Sequence, residues 1–341
     1  MESVIGIDAH KCTLTASAVD ELGRELDSIT AANDGRGFAR IERFALRVGA
    51  TRVGIECSGS YGLALAQHLA AAGLEVKEVP GQLVKQVRRA AARGKNDVLD
   101  ALLIARVARR EPNLPPPPRQ GLSHDLKALV DHRETLLREA VRHRNRAHAM
   151  LTQLRPGYWR SVPALTSAKR LEAARRLVED DSGVRAELLR DALARVEELE
   201  SSAKSLERQI QALVKASGTS LTDIVGVAAI TAARILAEVR DVERVPSQSA
   251  FGALTGTAPV PASSGKTDRW RLNRGGNRQL NRAIHTIALT QISHDPRARA
   301  YLERKREAGK SRKDAMRCLK RHLARVIYRR LVVDGPVLPL T

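Results

Sequence analysis

Aromatic residues are scarce in this chain: its 341 residues include two Trp, four Tyr and three Phe, or 3% in all. So few rings exclude the extended stacking platforms that grip single-stranded nucleic acid base by base. The core must then be built from Ala, Leu, Val and Ile, which suits helices and a few buried parallel strands. Cysteine is scarcer. Cys12, Cys57 and Cys318 are odd in number and widely separated, with no CxxC pair and no histidine at zinc-ligand spacing, which argues against a disulfide framework or a zinc finger. No stretch approaches the roughly 18 uninterrupted apolar residues of a membrane span. The N-terminus begins with Glu2 and a strand-like run where a secretory signal would carry positive charge. A soluble, cytoplasmic protein is the expectation. Acidic residues are also in deficit, 38 Asp+Glu against 58 Lys+Arg for a formal net charge of +20, which points to a polyanionic partner.

The charge is unevenly placed. Residues 1–80 hold 8 Lys+Arg and 11 Asp+Glu, whereas residues 261–330 hold 20 Lys+Arg against 5 Asp+Glu. The acidic part reads as α/β: strands at Val4–Asp8, Thr13–Val19 and Arg24–Thr30, a helix at Gly37–Val48, a strand at Val53–Glu56, a helix at Gly62–Ala72 and a strand at Leu74–Val79. Three strands in meander followed by alternating helix and strand is the ribonuclease-H-like order. Pro112 and the run Pro115–Pro118 cannot continue a helix and mark a stiff spacer. Residues 122–152 and 184–215 carry Leu, Ala and Val at helical spacing between dense charges, which predicts an antiparallel helical hairpin or coiled coil with an irregular tip. A mostly helical, basic region follows. The expected division is 1–111 as the α/β domain, 112–121 as linker, 122–217 as helical arm and 218–341 as the C-terminal domain.

Four carboxylates stand out by position. Asp8 and Glu56 end two strands, and Asp97 and Asp100, three apart, share one helix face. Converging carboxylates suit hard divalent cations, chiefly Mg²⁺ or Mn²⁺, which would orient a phosphodiester and neutralise charge on its oxygens. Any one of the four alone would ordinarily be a solvated or capping carboxylate. Their arrangement in ribonuclease-H order is what singles them out.

In the basic third, Ile224–Leu236 contains Gly226 in a turn ahead of an apolar helix, as in helix-hairpin-helix modules that offer backbone N–H groups to phosphates. A glycine before a helix is by itself only a turn. Residues 256–282 then read GTAPVPASSGKTDRWRLNRGGNRQLNR, an exposed loop around Ser263 and Ser264 followed by Lys266, Arg269, Arg271, Arg274, Arg278 and Arg282. Farther on, Arg312, Lys313, Arg317 and Lys320 interleave with Leu319, Leu323 and Val326. One reading is the solvated face of an amphipathic helix; so large an excess of one sign is better explained by phosphate contacts, with steeply salt-dependent binding.

The strings GIDAHK (Gly6–Lys11), GIECSGSYG (Gly54–Gly62) and KNDVLDALLIA (Lys95–Ala105) resemble the DEDD motifs of the one-ten family of bacterial insertion-sequence transposases, whose N-terminal domain is similar to the RuvC Holliday-junction resolvase. The SG…RGGNRQLNRA pattern extends the resemblance into the C-terminal third. The resemblance implies a DNA recombinase with a metal-bound carboxylate site at Asp8, Glu56, Asp97 and Asp100. It also implies a serine nucleophile in the Ser-Gly pair, where Ser264 stands and Ser263 is the adjacent alternative. A helix-hairpin-helix motif around Gly226, a structured noncoding guide RNA, double-stranded DNA at element ends and target, and a homo-oligomer (dimer or tetramer) with a site composed in cis or in trans are further implications, as is a place at the bacterial nucleoid. Two other readings compete. One is a metal-dependent junction resolvase that uses activated water and no serine; the other is a basic binding protein with a decayed nuclease fold, against which the four intact carboxylates argue. A covalent protein–DNA adduct separates the first from the second, and metal-dependent cleavage separates both from the third.

Overall fold

Strand β1 (Ser3–Ala9) is buried at every residue, so both of its faces must be covered. It pairs antiparallel with β2 (Thr13–Val19), which pairs antiparallel with β3 (Glu25–Ala32), and on its other edge it runs parallel to β4 (Ala50–Ile55), which runs parallel to β5 (Glu75–Glu78). The sheet order is β3-β2-β1-β4-β5, the ribonuclease-H-like arrangement expected from the sequence. These observations come from a computed structural model describing residues 2–56, 58–91, 96–118, 121–261, 270–273 and 275–335. The chain divides into two compact units, Met1–Arg119 and Gln120–Thr341.

Alternation along the strands decides what each face of the sheet carries. Ile5 and Ile7 of β1, Leu14, Ala16 and Ala18 of β2, and Val53 and Ile55 of β4 pack with Ile41 and Phe44 of α1 (Gly35–Arg47) and Leu65 and Leu69 of α2 (Leu63–Ala71). Full burial of each such side chain is worth about 1.5–3 kcal/mol. Val4 and Val19 face the other way, towards Val84 of α3 (Gly81–Ala91) and the Leu102–Ala105 stretch of α4 (Asp97–Arg110).

Glycine sets how closely α4 approaches. Gly6 and Gly54 are register partners on neighbouring strands. A Cβ on Gly6 would lie 2.0 Å from the Ala105 backbone nitrogen, and one on Gly54 would lie 2.5 Å from Ala108 Cβ. The motif glycines therefore clear a flat seat for the small-residue face of α4. Asn96 starts that helix, its Oδ1 accepting from Leu99 N at 2.6 Å, and Ser17 Oγ donates to Val98 O at 3.3 Å.

In the second unit, α5 (Leu122–Leu154) and α7 (Val184–Ala216) each span 33 residues, about 50 Å of helix at 1.5 Å per residue. They run antiparallel: Arg133 Nη2 meets Glu207 Oε2 at 2.9 Å, and Arg144, farther along α5, pairs with Glu200, farther back on α7. The tip, expected to be irregular, contains α6 (Ala168–Arg176), whose Leu171 and Ala174 pack with Leu151 and Leu189. The base of the arm shares its core with the helices that follow: α8 (Ala229–Val239), α9 (Gln248–Leu254), α10 (Arg278–His294), α11 (Pro296–Glu307) and α12 (Arg312–Asp334). A charge network of three cations and three carboxylates ties α5 to α8, with Arg282 of α10 donating to Glu134 Oε1 at 2.8 Å. Arg234, whose side chain is 9% exposed, donates to Glu134 Oε2 at 2.8 Å and pairs with Asp131, and Lys127 Nζ donates to Asp131 and Glu238 at 2.9 Å each. Between α9 and α10, β6 (Pro259–Pro261) and β7 (Trp270–Leu272) form an antiparallel ribbon. Among the described residues, no helix is long and apolar enough to cross a membrane.

Candidate active site

The same alternation places the strand-end carboxylates. Gly6 and Asp8 are two apart on β1, and Gly54 and Glu56 are two apart at the end of β4, so each acid follows its glycine onto the face covered by α4. The backbone N of Glu56 donates to Ile7 O at 3.1 Å, holding the two strand ends in register. Asp97 and Asp100 lie in the first turn of α4, where the positive end of the helix dipole favours carboxylates. Close seating of α4 on the glycines thus brings its first turn over the strand ends. All four sequence-predicted carboxylates converge on one end of the sheet.

Their electrostatics record that convergence. Burial raises the pKa of Asp8, with the charges of Asp100 and Asp97 adding to the rise and His10 opposing it. Burial likewise raises Glu56, reinforced by Asp8 and Asp100 and opposed by Arg88 and Lys85. Mutual repulsion of buried negative charge is the state a cation relieves. The ligand atoms of Asp8, His10 and Asp97 lie within 4.8 Å of one another: His10 Nε2 is 3.1 Å from Asp8 Oδ2 and 3.7 Å from Asp97 Oδ1. Asp100, only 4% exposed, is paired with Arg88, whose Nε is buried with no partner among the described residues. A Cβ on Gly81 would sit 2.4 Å from Glu56 Oε1, so this close approach of α3 to the carboxylate requires glycine. Mainly oxygen donors and a repulsive charge balance fit a hard divalent cation.

His10, Arg88, Lys85 and Gly81 escaped the sequence reading. His10 stands inside GIDAHK, where its reach back to Asp8 depends on the turn after β1. Arg88 has no periodicity or motif to mark it; only the packing of α3 beside α4 reveals its pairing.

The residues expected to contact nucleic acid are dispersed over the second unit. Ser264, with its neighbour Ser263, and Lys266, Arg269 and Arg274 lie outside the described residues. Arg271 is exposed on β7, and Arg278 is exposed at the start of α10. Arg312 and Lys313 are exposed in the first turn of α12, and Arg317 Nη1 donates to Asp314 Oδ1 at 2.8 Å. Lys320 is half-buried, its Nζ donating to Asn281 Oδ1 at 2.6 Å, and burial lowers its pKa. Gly226 has φ +88°, and a Cβ there would come within 3.2 Å of Ile287 O and 3.1 Å of Thr290 Cβ. Turn geometry and close contact with α10 both require glycine there.

Comparison with known proteins adds sequence relatives to this geometry. The profile of a family described as "Transposase" matches residues 5–156, and that of the "Transposase IS116/IS110/IS902 family" matches residues 218–303. The 43.6 kDa protein of insertion element IS110 from Streptomyces coelicolor is 26% identical, over 95% of this chain and 92% of its own length. The 44.8 kDa protein of insertion element IS116 from Streptomyces clavuligerus is 27% identical, over 95% of this chain and 93% of its own. A solved RuvC from T. thermophilus, in complex with a Holliday junction substrate, is similar over 31% of this chain and 90% of that one, at 20% identity and a TM-score of 0.26.

Proposed function

Because the chain belongs to the IS110 family of insertion-sequence transposases, we propose that it cuts and rejoins DNA with a metal-bound carboxylate site at Asp8, Glu56, Asp97 and Asp100 and a serine nucleophile at Ser264. The observation that carries the metal site is the convergence of Asp8 and Glu56, on adjacent parallel strands, with the first turn of α4, where burial and shared negative charge raise both strand-end carboxylates. Mg²⁺ or Mn²⁺ bound there would supply Lewis-acid neutralisation of phosphate oxygens. The protein's part is to hold the four carboxylates and, through Arg88, to keep Asp100 oriented towards α3.

In the serine step, the Ser264 hydroxyl gives up its proton as Oγ attacks phosphorus, an O–P bond forms as the bond from phosphorus to one sugar oxygen breaks, and the departing sugar oxygen takes up a proton and leaves as a hydroxyl. The serine ester keeps the energy of the broken diester, so reversal by another sugar hydroxyl reseals a strand and frees the serine. Guanidiniums around the loop would stabilise charge on the phosphate. Double-stranded DNA is the substrate, a structured noncoding RNA the guide, and a homo-oligomer the working form; the family relationship and the basic second unit support these assignments.

Denaturing electrophoresis of labelled DNA tests the reading. Wild type should give a covalent adduct with Mg²⁺ or Mn²⁺, and Ser264→Ala should lose it while retaining DNA binding. An adduct that survives Ser264→Ala but not Ser263→Ala moves the nucleophile by one residue. Robust metal-dependent cleavage with no adduct from wild type replaces the serine step by attack of water.

A further inference from the structure

A cavity of about 780 Å³ opens in the second unit between the start of the β6–β7 ribbon, the turn at Gly309–Ser311 and one side of α12. Its walls carry Arg271, Lys310, Arg317, Lys320, Arg321 and Arg325 against a single carboxylate, Asp314, which is engaged by Arg317. Two of the cations are built into the wall. Asn281 Nδ2 donates to Thr255 O at 2.8 Å, which turns the amide so that its Oδ1 faces Lys320 Nζ at 2.6 Å. The ammonium has three donors, and this neutral oxygen takes one. Arg321 lies across α9, where a Cβ on Gly252 would fall 1.1 Å from its Nη1; the glycine is the seat for the guanidinium. No carboxylate among the described residues reaches either cation.

Charges held half-buried without a counter-charge are costly unless a ligand supplies one. Burial depresses both Lys320 and Arg321, and Arg325 adds to the depression of Arg321. The network around Arg234, also buried, shows the alternative, since there every cation has its acid. The cavity is concave and stands at the foot of the ribbon, where Asn277 N donates to Leu254 O at 2.6 Å and Gly276 packs on Gly256 so closely that a Cβ would lie 2.3 Å from its nitrogen.

We propose that the cavity seats a backbone phosphodiester of the nucleic-acid strand, with Lys320 and Arg321 as its charged contacts and Asn281 as the residue that positions Lys320. The assignment rests on the reading of the second unit as nucleic-acid-handling, and it adds a discrete phosphate seat to a merely basic surface.

The test uses the full chain and two fluorescent probes of equal length, a DNA duplex and an RNA hairpin, titrated across a salt series. Lys320→Met with Arg321→Met should lower the slope of log affinity against log salt by about 2, about 1 per lost phosphate contact. Arg36→Met with Arg40→Met on α1, an equal change of net charge, should leave the slope near its wild-type value. Loss with DNA alone or RNA alone assigns the strand; an unchanged slope with both overturns the proposal. Should the paired variant fail to fold, reductive methylation of wild type read by mass spectrometry replaces it. Lys320 should be protected by at least one probe, and reactivity unchanged by either also overturns it. Metal-dependent cleavage is scored separately, so an inactive wild type with an intact Lys320 effect fails the catalytic reading and not this one.

Discussion

The two units carry clusters of opposite sign built on one electrostatic plan. In the first, burial and like charge raise the carboxylates of Asp8 and Glu56; in the second, burial lowers Lys320, and burial with a neighbouring guanidinium lowers Arg321. The network of Arg234 with Asp131, Glu134 and Glu238, of Lys127 with Asp131 and Glu238, and of Arg282 with Glu134 is partly buried yet balanced, three cations to three carboxylates. The contrast separates charge used to hold helices together from charge held ready for a ligand. Only an unbalanced cluster leaves a cation or a phosphate something to neutralise.

The largest expected effect breaks the acidic cluster. Asp97→Asn should cost strand cleavage roughly 10³-fold, the order lost when one preorganised electrostatic group is removed, with little change in DNA affinity because Asp97 is exposed in a unit remote in sequence from the basic stretch. Cleavage assays at fixed Mn²⁺ check this, and near-wild-type rates would remove Asp97 from the site.

Breaking the balanced network should instead damage the fold. Arg234→Met leaves Glu134, Asp131 and Glu238 short of a partner, and breaking a buried pair on one side costs about 3–5 kcal/mol. Urea unfolding of the second unit's helices would show it. Gly6→Ala should cost about 1–3 kcal/mol, the usual range for overpacking, because the new Cβ meets the Ala105 backbone; it should also reduce metal affinity, since α4 must move with Asp97 and Asp100 on it.

The balanced network also has a pH signature. Burial pushes Asp131 upward, but hydrogen bonds and charge from Lys127 and Arg234 outweigh it, and the net shift is downward. A carboxylate lowered in the folded state contributes stability that is present above its unfolded pKa and lost as pH falls through the folded value. The stability difference between wild type and Asp131→Asn should therefore shrink on acidification through the carboxylate range. Melting curves of the two proteins over that range measure it, and a constant difference would show that the network does not titrate.

The smallest effect belongs to the exposed cations. Arg312→Gln and Lys313→Gln, in the first turn of α12, should each lower the salt slope of binding by no more than about 1 while leaving melting unchanged. If they match the Lys320 and Arg321 variants in affinity loss, cavity and surface are equivalent and the distinction drawn between seated and solvated charge fails.

Local sequence carried much of this architecture. Period-two alternation in SVIGIDA and ATRVGI places Ile5, Ile7, Val53 and Ile55 on one sheet face and Gly6, Asp8 and Gly54 on the other, because successive side chains of a strand must point apart. Leucines at helical spacing mark α5 and α7, and the order of strands and helices already implies the sheet. Four carboxylates were legible because two end strands and two share a helix turn. What remained to tertiary structure was every relation between residues distant in sequence that no periodicity encodes. Arg88 meets Asp100 only because α3 packs beside α4; Arg321 finds its seat on Gly252 only because α12 crosses α9; Gly276 has its purpose only against Gly256. Alternation and helical spacing are properties of a few consecutive residues. A charge left without its partner is a property of three-dimensional surroundings, and only the folded chain decides which of its 58 cations are in that state.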